Sequence, residues 1–449
     1  MEIGGAFPQP GETTGRTLVL FEDGASAAGM QTVQEAMRLE VARVGDEAAP
    51  ADAGVRYFES LGVAVVDAPA AQVAQAGISS AQESIAIVEP ERIVYALESA
   101  QYEAPTANGH EALPQPDPAP FRPPAPPQSG PFSAEYLRGY REAVLHLTAG
   151  IAAESASVQA FVAALDESQA TWGLQATKVV NCCRTGRGIR LAVLDTGFDD
   201  THPDFAGRTI VKQSFVTGEE VMDGHGHGTH CIGTSMGAKC PPAPPRYGIA
   251  HEAEIYAGKV LSNAGSGADG GILAGIEWAL QNQCAVISMS LGAATRPGQT
   301  FSQVFERVAK RVLAQGTLIV AAAGNESARP GTINPVGHPA NCPSIMAVAA
   351  VDVEGAVARF SNRGINADGG QVDIAAPGVA VLSSWKMPLR YRTINGTSMA
   401  TPHVAGIAAL YAEADPAARG EALWQTLIAR AQRLELPSSD VGAGMVQAP

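Results

Sequence analysis

Several short apolar runs in the second half of the chain do most to limit its fold. Each run is continuous rather than alternating, and helical patterns separate one run from the next. Strands of this kind are buried on both faces, which is typical of a parallel sheet with helices on either side. We therefore predict an α/β fold over residues 172–449. The predicted strands are Leu191 to Leu194, Ile255 to Val260, Ala285 to Met289, Leu318 to Ala322 and Ile345 to Ala349.

The first part of the chain has a different pattern and predicts a separate small domain. At 449 residues the chain is longer than one hydrophobic core usually supports. Strand and helix patterns alternate over residues 17–97, which predicts a compact βαβ-αβ unit, that is, a small α+β domain. The remaining segments are a polar leader over 1–16, a Pro-rich linker over 98–132 and a helical connector over 133–171.

Two stretches of this small domain predict particular elements of secondary structure. Apolar residues from Met30 to Val44 recur at helical spacing, so a helix is predicted there. Ile85 to Leu97 reads as two strands broken at Glu89-Pro90-Glu91, because proline lacks the N–H group that a sheet ladder needs.

Composition excludes several classes of function. The net charge of −15 argues against nucleic acid or an anionic membrane as the main partner, since either favours a basic surface. No apolar run approaches the roughly 20 residues of a membrane span. Residues 1–16 contain acids where a secretion signal has basic residues. We therefore expect a cytoplasmic protein, or a secreted one whose signal has been removed.

The cysteines do not form a disulfide framework. Six cysteines in a chain of this length are too sparse for that. The loops around Cys240 and Cys342 permit a bridge, whereas Cys231 and Cys284 lie in apolar runs and are predicted to be buried thiols.

Polar residues that can perform acyl transfer stand at the ends of predicted strands and helices. Asp195 ends an apolar strand, His227 opens a small-residue helix, and Asn325 follows another buried strand. Ser398 lies at the start of an apolar helix, where free N–H groups favour negative charge. The four residues supply an orienting acid, a base, an oxyanion donor and a nucleophile. Taken alone, each motif is also an ordinary turn or helix cap.

The segments around these residues resemble the subtilisin-like serine proteases. They read L-A-V-L-D-T-G, H-G-T-H, A-A-A-G-N and G-T-S-M-A-T-P-H-V-A-G, in the family's order, and the resemblance runs from about Trp172 to the end. It implies a serine endopeptidase in which Ser398 attacks, His227 moves the proton and Asp195 orients the imidazole. The side chain of Asn325 and the N–H of Ser398 would bind the oxyanion. This chemistry requires no cofactor.

The resemblance also implies a cleft in which two edge segments hold an extended peptide. The substrate-binding positions that it implies are Gly265, Ser266, Gly267, Asp269, Ser290, Leu291, Gly292, Gly337 and His225. Gly337 would form the floor of the first pocket, and His225 the rim of the second. Asp269 stands where many relatives carry an aromatic residue over the fourth pocket. We therefore expect a polar or basic residue to be preferred at the fourth position before the cleaved bond.

Signals for bound ions and nucleotides are weak. Asp204 matches a calcium ligand of the family, but the partner loop A-K-C-P-P-A-P-P-R-Y-G lacks the usual asparagine-rich ligand set. A structural calcium is therefore doubtful. G-S-G-A-D-G from Gly265 fits a dinucleotide pattern, yet no acid follows about twenty residues later. The histidines near His227 do not complete a zinc motif.

The N-terminal domain, which closes in I-V-E-P-E-R-I-V-Y-A-L, resembles a subtilase propeptide, and the resemblance implies a ferredoxin-like α+β fold. This implies a zymogen whose propeptide acts as an intramolecular inhibitor and is cleaved between Leu97 and Ser133. An unrelated binding module is the weaker alternative. We expect a monomer that acts on protein or peptide substrates. A peptide ligase or cyclase with the same acyl-enzyme, and a processing protease with a narrow substrate, remain open. The intact acyl-transfer residues argue against a non-catalytic peptide-binding relative.

Overall fold

A computed structural model describes residues 11–43, 53–98, 162, 164–243 and 245–449 of the chain. The chain divides into two compact units, of which one comprises Met1–Gln101 with Asp166–Pro449 and the other Tyr102–Leu165. The second unit lies almost wholly outside the described residues. The predicted linker over 98–132 and most of the predicted connector over 133–171 therefore stay predictions.

The N-terminal part of the first unit is a small sheet with helices. Its elements are β1 (Thr13–Phe21), α1 (Ser26–Met37), β2 (Val41–Arg43), β3 (Val55–Phe58), β4 (Val63–Val66), α2 (Ala70–Gln75) and β5 (Ile85–Ala96). The strands lie in the order β5-β1-β4-β3-β2, and β1 is antiparallel to both β4 and β5. Apart from the edge strand β2, this order and the β-α-β-β-α-β succession are ferredoxin-like. Buried residues such as Val19, Phe21, Val33 and Val66 form the core of this part.

Two features of this sheet differ from the expectations. The helix predicted over Met30 to Val44 ends at Met37, because Arg38 adopts a left-handed conformation with φ of 55° and Val41–Arg43 joins the sheet. Pro90 does not divide β5, which is one strand from Ile85 to Ala96. Pro90 lies opposite Thr17, next to a register shift between β1 and β5, where an irregular ladder tolerates a missing N–H.

The rest of the first unit is built on a parallel sheet. Its strands are β6 (Arg190–Asp195), β7 (Ile210–Ser214), β8 (Glu254–Lys259), β9 (Ser266–Ala268), β10 (Val286–Met289), β11 (Leu291–Gly292), β12 (Leu318–Ala322), β13 (Met346–Val351), β14 (Ile374–Pro377), β15 (Val381–Ser384) and β16 (Tyr391–Ile394). The parallel strands lie in the order β14-β13-β12-β10-β6-β8-β7, whereas β15 and β16 form a separate hairpin. Each of the five predicted apolar runs lies on a strand of this sheet, and the predicted α/β class is confirmed.

Helices pack on this sheet and deliver polar residues to its carboxyl edge. They are α3 (Trp172–Ala176), α4 (His227–Met236), α5 (Asp269–Gln281), α6 (Gln303–Ala314), α7 (Thr397–Ala414), α8 (Glu421–Arg430) and α9 (Ser438–Val441). Helix α7 is buried from Thr397 to Ala412, and its glycine and alanine residues allow close packing on α4 and β13. Pro402 is the sixth residue of α7, so its missing N–H leaves the carbonyl oxygen of Ser398 without a helical donor, and the Ser290 hydroxyl donates to that oxygen at 2.8 Å instead.

The structure also bears on the cysteines and on membrane spans. All six cysteines are free thiols, so no bridge joins Cys240 or Cys342, and Cys231 and Cys284 are buried as predicted. Within the described parts of the chain, the structure contains no helix that is both long and apolar enough to cross a bilayer.

Candidate active site

A buried carboxylate and imidazole meet where β6 ends and α4 begins. Oδ1 of Asp195 accepts hydrogen bonds from Nδ1 of His227 and from the backbone N–H of Thr196, each at 2.7 Å. Since Nδ1 carries the proton, Nε2 of the neutral ring is free to accept one. Complete burial works against the charged ring, but the Asp195 carboxylate outweighs it and raises the pKa of His227 well above its ordinary value.

The position of His227 depends on a second carboxylate, that of Asp223. Oδ1 of Asp223 accepts from the backbone N–H of Gly226 at 2.7 Å and from Oγ1 of Thr196 at 2.9 Å. Its Oδ2 accepts from the N–H and the hydroxyl of Thr229 at 2.8 and 2.7 Å. These bonds satisfy N–H groups in the first turn of α4 and tie that turn to the residue after Asp195. Sequence reasoning missed Asp223, although an acid just before a helix start is a usable capping signal.

A buried lysine lies beside the same turn. Lys259 ends β8 and pairs with Asp195 in the sheet register. Its Nζ donates to the carbonyl oxygen of Thr196 and to Oδ1 of Asn263, and lies 3.2 Å from a carboxylate oxygen of Glu219. Because a buried cation needs such partners, Lys259 holds the turn that follows Asp195 in one conformation. Its role was not predicted, because two of its three partners, Thr196 and Glu219, are far from it in sequence.

Ser398 is the second residue of α7 and is fully buried. Its hydroxyl donates to the carbonyl oxygen of Ser290 at 2.9 Å, while Nε2 of His227 has no hydrogen-bond partner among the described residues. The serine and histidine are thus on adjacent elements without the hydrogen bond that would activate the hydroxyl. Catalytic hydrogen bonds of this kind are often long or poorly aligned before the reaction and can tighten only in the transition-state complex. Sγ of Cys231 lies 3.8 Å from Nδ1 of His227, and burial raises the pKa of this thiol to about 11, which keeps it protonated.

Asn325 follows β12 and has a fixed side-chain orientation. Its Oδ1 accepts hydrogen bonds from the backbone N–H and the hydroxyl of Thr397 at 2.9 and 2.8 Å. The amide nitrogen must therefore point the other way, and it donates to the carbonyl oxygen of Leu97 at 2.7 Å. Gly396 makes this approach possible, because a Cβ at that position would lie 2.6 Å from the Leu97 oxygen.

Strand β5 occupies the cleft that these residues line. Its last residues pair antiparallel with β9 on one side and with β11 on the other, as in Tyr95 opposite Ser266 and Ala96 opposite Leu291. The backbone N–H of Ala96 donates to Gly265 at 2.8 Å, and that of Leu97 to Ser290 at 3.4 Å. The chain thus lies as an extended peptide, and the carbonyl of Leu97 is the one that reaches Asn325.

Most of the predicted substrate-binding positions lie around this strand. The segments that flank it contain Gly265, Ser266, Gly267, Ser290, Leu291 and Gly292. Nδ1 of His225 is 3.8 Å from a carboxylate oxygen of Glu98, the residue after Leu97. Asp269 is fully buried and accepts from the backbone N–H of Arg92. It does not contact Val94 in this way, although Val94 is the fourth residue when Leu97 is counted as the first. Gly337 donates to the carbonyl oxygen of Ala323 at 2.9 Å and lies outside these flanking segments.

The carboxylate proposed for calcium has other partners. Oδ2 of Asp204 accepts from the hydroxyl of Tyr247 at 2.5 Å, and Oδ1 from that of Tyr391 at 2.9 Å. Calcium requires six or more oxygen ligands, and these hydroxyls are used as donors, so the residues present do not fit that ion. Within the described residues, one group of three metal-ligating side chains has all its ligand atoms within 4.8 Å, namely Asp195, His227 and Cys231. Two of its members, Asp195 and His227, are the acid and base of the acyl-transfer site.

The sequence of this chain is similar to those of known proteins. The profile of the subtilase family matches residues 186–445. The chain is 40% identical to subtilisin DY of Bacillus licheniformis over 238 residues, which is 53% of this chain and 81% of that protein. It is 42% identical to subtilisin E of Bacillus subtilis (strain 168) over 234 residues, 52% of this chain and 57% of that protein. The identity to subtilisin Savinase of Lederbergia lenta is 43% over 249 residues, 55% of this chain and 85% of that protein.

The parallel sheet and the acid, base and serine at its carboxyl edge define a serine protease of the subtilisin-like class. With a family match over more than half of its length, the chain belongs to the subtilase family. The match spans less than two thirds of subtilisin E.

Proposed function

We propose that the chain is an endopeptidase made as a self-inhibited precursor, and that it cleaves its own Leu97-Glu98 bond. The observation that carries this proposal is the 2.7 Å hydrogen bond from the Asn325 amide to the Leu97 carbonyl oxygen. A donor in that place would stabilise negative charge on the oxygen when the carbonyl is attacked. The segment of Leu97 is also paired on both sides in the manner of a bound peptide substrate.

The proposed reaction begins with rotation of the Ser398 hydroxyl from Ser290 toward Nε2 of His227. His227 takes the hydroxyl proton as Oγ forms a bond to the carbonyl carbon of Leu97. The Asn325 amide and the Ser398 N–H hold the oxyanion. Collapse breaks the bond to the nitrogen of Glu98, which receives the proton from His227 and leaves as a new amino terminus.

The second half releases the acyl group. A water molecule gives one proton to His227 and adds its oxygen to the Leu97 carbonyl carbon. The Ser398 oxygen then leaves and recovers the proton from His227, which restores the enzyme. Asp195 stays ionised throughout and stabilises the imidazolium in both halves.

Inhibition follows from how firmly the N-terminal part is held. Oε1 and Oε2 of Glu89 accept from the N–H of Gln303 at 2.8 Å and the hydroxyl of Ser302 at 2.6 Å, at the start of α6. Oε1 of Glu91 accepts from the N–H of Gly270 at 2.9 Å, in the first turn of α5. Both carboxylates face the positive ends of helix dipoles. Neither contact involves the Leu97-Glu98 peptide bond, so both can persist after cleavage, which supports retention of the product in the cleft.

A gel experiment tests the proposed function. The full chain is compared with Ser398→Ala and with Ser80→Ala, a matched serine change at an exposed position of the N-terminal part. Wild type and Ser80→Ala should convert to two shorter fragments, whereas Ser398→Ala should stay intact and keep its fold by circular dichroism. Conversion of purified Ser398→Ala at the wild-type rate would mean that another protease makes the cut.

A further inference from the structure

Asp269 and His338 form a buried pair beside the cleft. Oδ1 of Asp269 lies 2.9 Å from Nε2 of His338, and the two side chains are 0% and 3% exposed. The imidazole packs edge-on against Phe305, with ring centroids 4.6 Å apart. Asp269 is the first residue of α5, so its charge also faces the positive end of that helix. His338 lies in the segment between β12 and β13, where its backbone pairs with Ala293.

The charge of the pair follows from its hydrogen bonds. Since a carboxylate can only accept, Nε2 of His338 carries the proton that it shares with Asp269. Nδ1 of His338 is buried and has no partner among the described residues, which disfavours a second proton on the ring. With His338 neutral and Asp269 ionised, the pair carries one negative charge beside the cleft, at the start of α5.

The residue of β5 that meets this charge is Arg92. Its backbone N–H donates to Oδ2 of Asp269 at 3.0 Å, and its Nη1 lies 3.6 Å from the same oxygen. The pairing between β5 and β9 ends one residue later, at Ile93 opposite Ala268. The Asp269 carboxylate thus continues the ladder by one more N–H, at a point where the enzyme's own backbone has become helical.

The position of Arg92 relative to the proposed cleavage is fixed by counting. If the bond after Leu97 is cut, Leu97 is the first residue before it and Arg92 is the sixth (P6). The fourth residue is Val94, which is apolar and fully buried. The basic preference expected from Asp269 therefore moves from the fourth position to the sixth.

We propose that Asp269, oriented by His338, selects protein and peptide substrates with a basic residue six positions before the cleaved bond. The proposal rests on the proposed function, because the position is counted from the Leu97 carbonyl. In the intact chain Arg92 also lies 3.5 Å from a carboxylate oxygen of Glu89, on its own strand. A separate substrate does not bring that acid, and Asp269 is then the acid among the described residues that lies within ion-pair distance of the basic side chain.

Matched peptides test this selection in the wild-type enzyme. The full chain is allowed to cleave itself, its active sites are counted with a fluorophosphonate, and quenched fluorescent peptides with the sequence of residues 92–97 are supplied. One peptide carries arginine at P6 and the other citrulline, which has the same shape without the charge. We expect kcat/KM to be about three- to tenfold higher for arginine at low ionic strength, with the ratio falling as salt is added. A ratio of one would overturn the proposal.

A variant locates the effect. Asp269→Asn keeps the size of the side chain and removes its charge, so the arginine to citrulline ratio should fall to about one. Glu252→Gln, a change at an exposed acid paired with Arg187, should keep the wild-type ratio. If Asp269→Asn keeps the wild-type ratio of kcat/KM between the arginine and citrulline peptides, Asp269 is not the residue that selects at P6. If Asp269→Asn does not fold, the wild-type comparison still decides.

A shorter peptide separates this proposal from the proposed function. It begins at the residue equivalent to Val94 and therefore has no P6 residue. If this shorter peptide is hydrolysed and the two longer peptides are hydrolysed at equal rates, the proposed selection at P6 is overturned and the proposed function stands. No hydrolysis of any peptide by the self-cleaved, fluorophosphonate-reactive chain overturns the proposed function as well.

Discussion

Asn325 donates its side-chain N–H to the carbonyl oxygen of Leu97 at 2.7 Å, across 228 positions of sequence. The bond joins the end of a central strand of the parallel sheet to the last residues of the N-terminal part. It places one carbonyl of the chain where a protease would hold the oxygen of its substrate. Thr397, which fixes the amide orientation, directly precedes Ser398.

Loss of this donor should slow self-cleavage. In Asn325→Ala the Leu97 oxyanion would lose its side-chain donor and keep backbone donors. Removal of one oxyanion-hole side chain in a subtilisin costs about 3–4 kcal/mol of transition-state stabilisation. We expect self-cleavage to be about 100- to 1,000-fold slower, measured as the half-time of fragment formation on gels. Asn282→Ala, at the far end of α5, is the matched control and should cleave at the wild-type rate. A half-time within threefold of wild type in Asn325→Ala would contradict the oxyanion role.

The pH dependence of activity should reflect the raised pKa of His227. The base works only when neutral, so kcat/KM should be low in acid and rise as the pH passes the pKa. Because the Asp195 carboxylate raises this pKa, the midpoint of the acid limb should lie above the ordinary value of 6.5. Asp195→Asn should lower the midpoint as well as the rate. Hydrolysis of a short peptide, followed in constant ionic strength, checks this, and a wild-type midpoint below 6.5 would be inconsistent with it.

Much of the fold could be predicted, because the central strands are buried on both faces and leave continuous apolar runs. Strand β7 was not predicted: it lies at the edge of the sheet and reads I-V-K-Q-S, with partly exposed side chains. The end of α1 at Met37 depends on the left-handed conformation of Arg38, which no residue pattern signals. Pro90 was read as a strand break, because the register shift that accommodates it arises from pairing with β1.

The acyl-transfer residues could be named because each lies in a short motif of fixed order. Their supports could not, since these are contacts between distant segments. Lys259 reaches Thr196 from a neighbouring strand, and His338 reaches Asp269 across 69 positions. The preference expected at the fourth substrate position stays a prediction, whereas our proposal assigns Asp269 to the sixth position because its Oδ2 accepts from the N–H of Arg92, a tertiary contact.

The contact between Glu91 and α5 should control how long the cleaved N-terminal part inhibits. The Glu91 carboxylate is buried between the N–H of Gly270 and the guanidinium of Arg16. Glu91→Gln removes the charge that both groups favour, so release should be about 10-fold faster or more. The lag before peptide hydrolysis appears after self-cleavage measures this. Glu83→Gln, at an exposed position, should leave the lag unchanged, and an equal lag in Glu91→Gln would contradict the prediction.

The hydrogen bonds of Asp204 should stabilise the fold. Removing the Tyr247 hydroxyl leaves a buried carboxylate with one donor fewer, so Tyr247→Phe should lower the free energy of unfolding by about 1–3 kcal/mol. Tyr256→Phe is the control and should change it by less. Chemical denaturation of both variants in the Ser398→Ala background avoids self-digestion. Equal midpoints for Tyr247→Phe and its parent would contradict this role.

A chelator comparison addresses calcium at the same carboxylate. The melting temperature is measured with calcium and with a strong chelator, for the Ser398→Ala chain and for the same chain with Asp204→Asn. Because hydroxyl donors already occupy Asp204, the calcium-dependent difference should be the same in both. A difference that disappears only in Asp204→Asn would establish that Asp204 binds the ion.

The most direct test of the account is the identity of the first cleavage product. Purified full chain is incubated at low concentration, and the fragments are analysed by intact mass and by amino-terminal sequencing. The position of the Leu97 carbonyl predicts a first product that begins at Glu98, with a partner that ends at Leu97. A first cut at any other bond, while the 97–98 bond stays intact, would contradict the account.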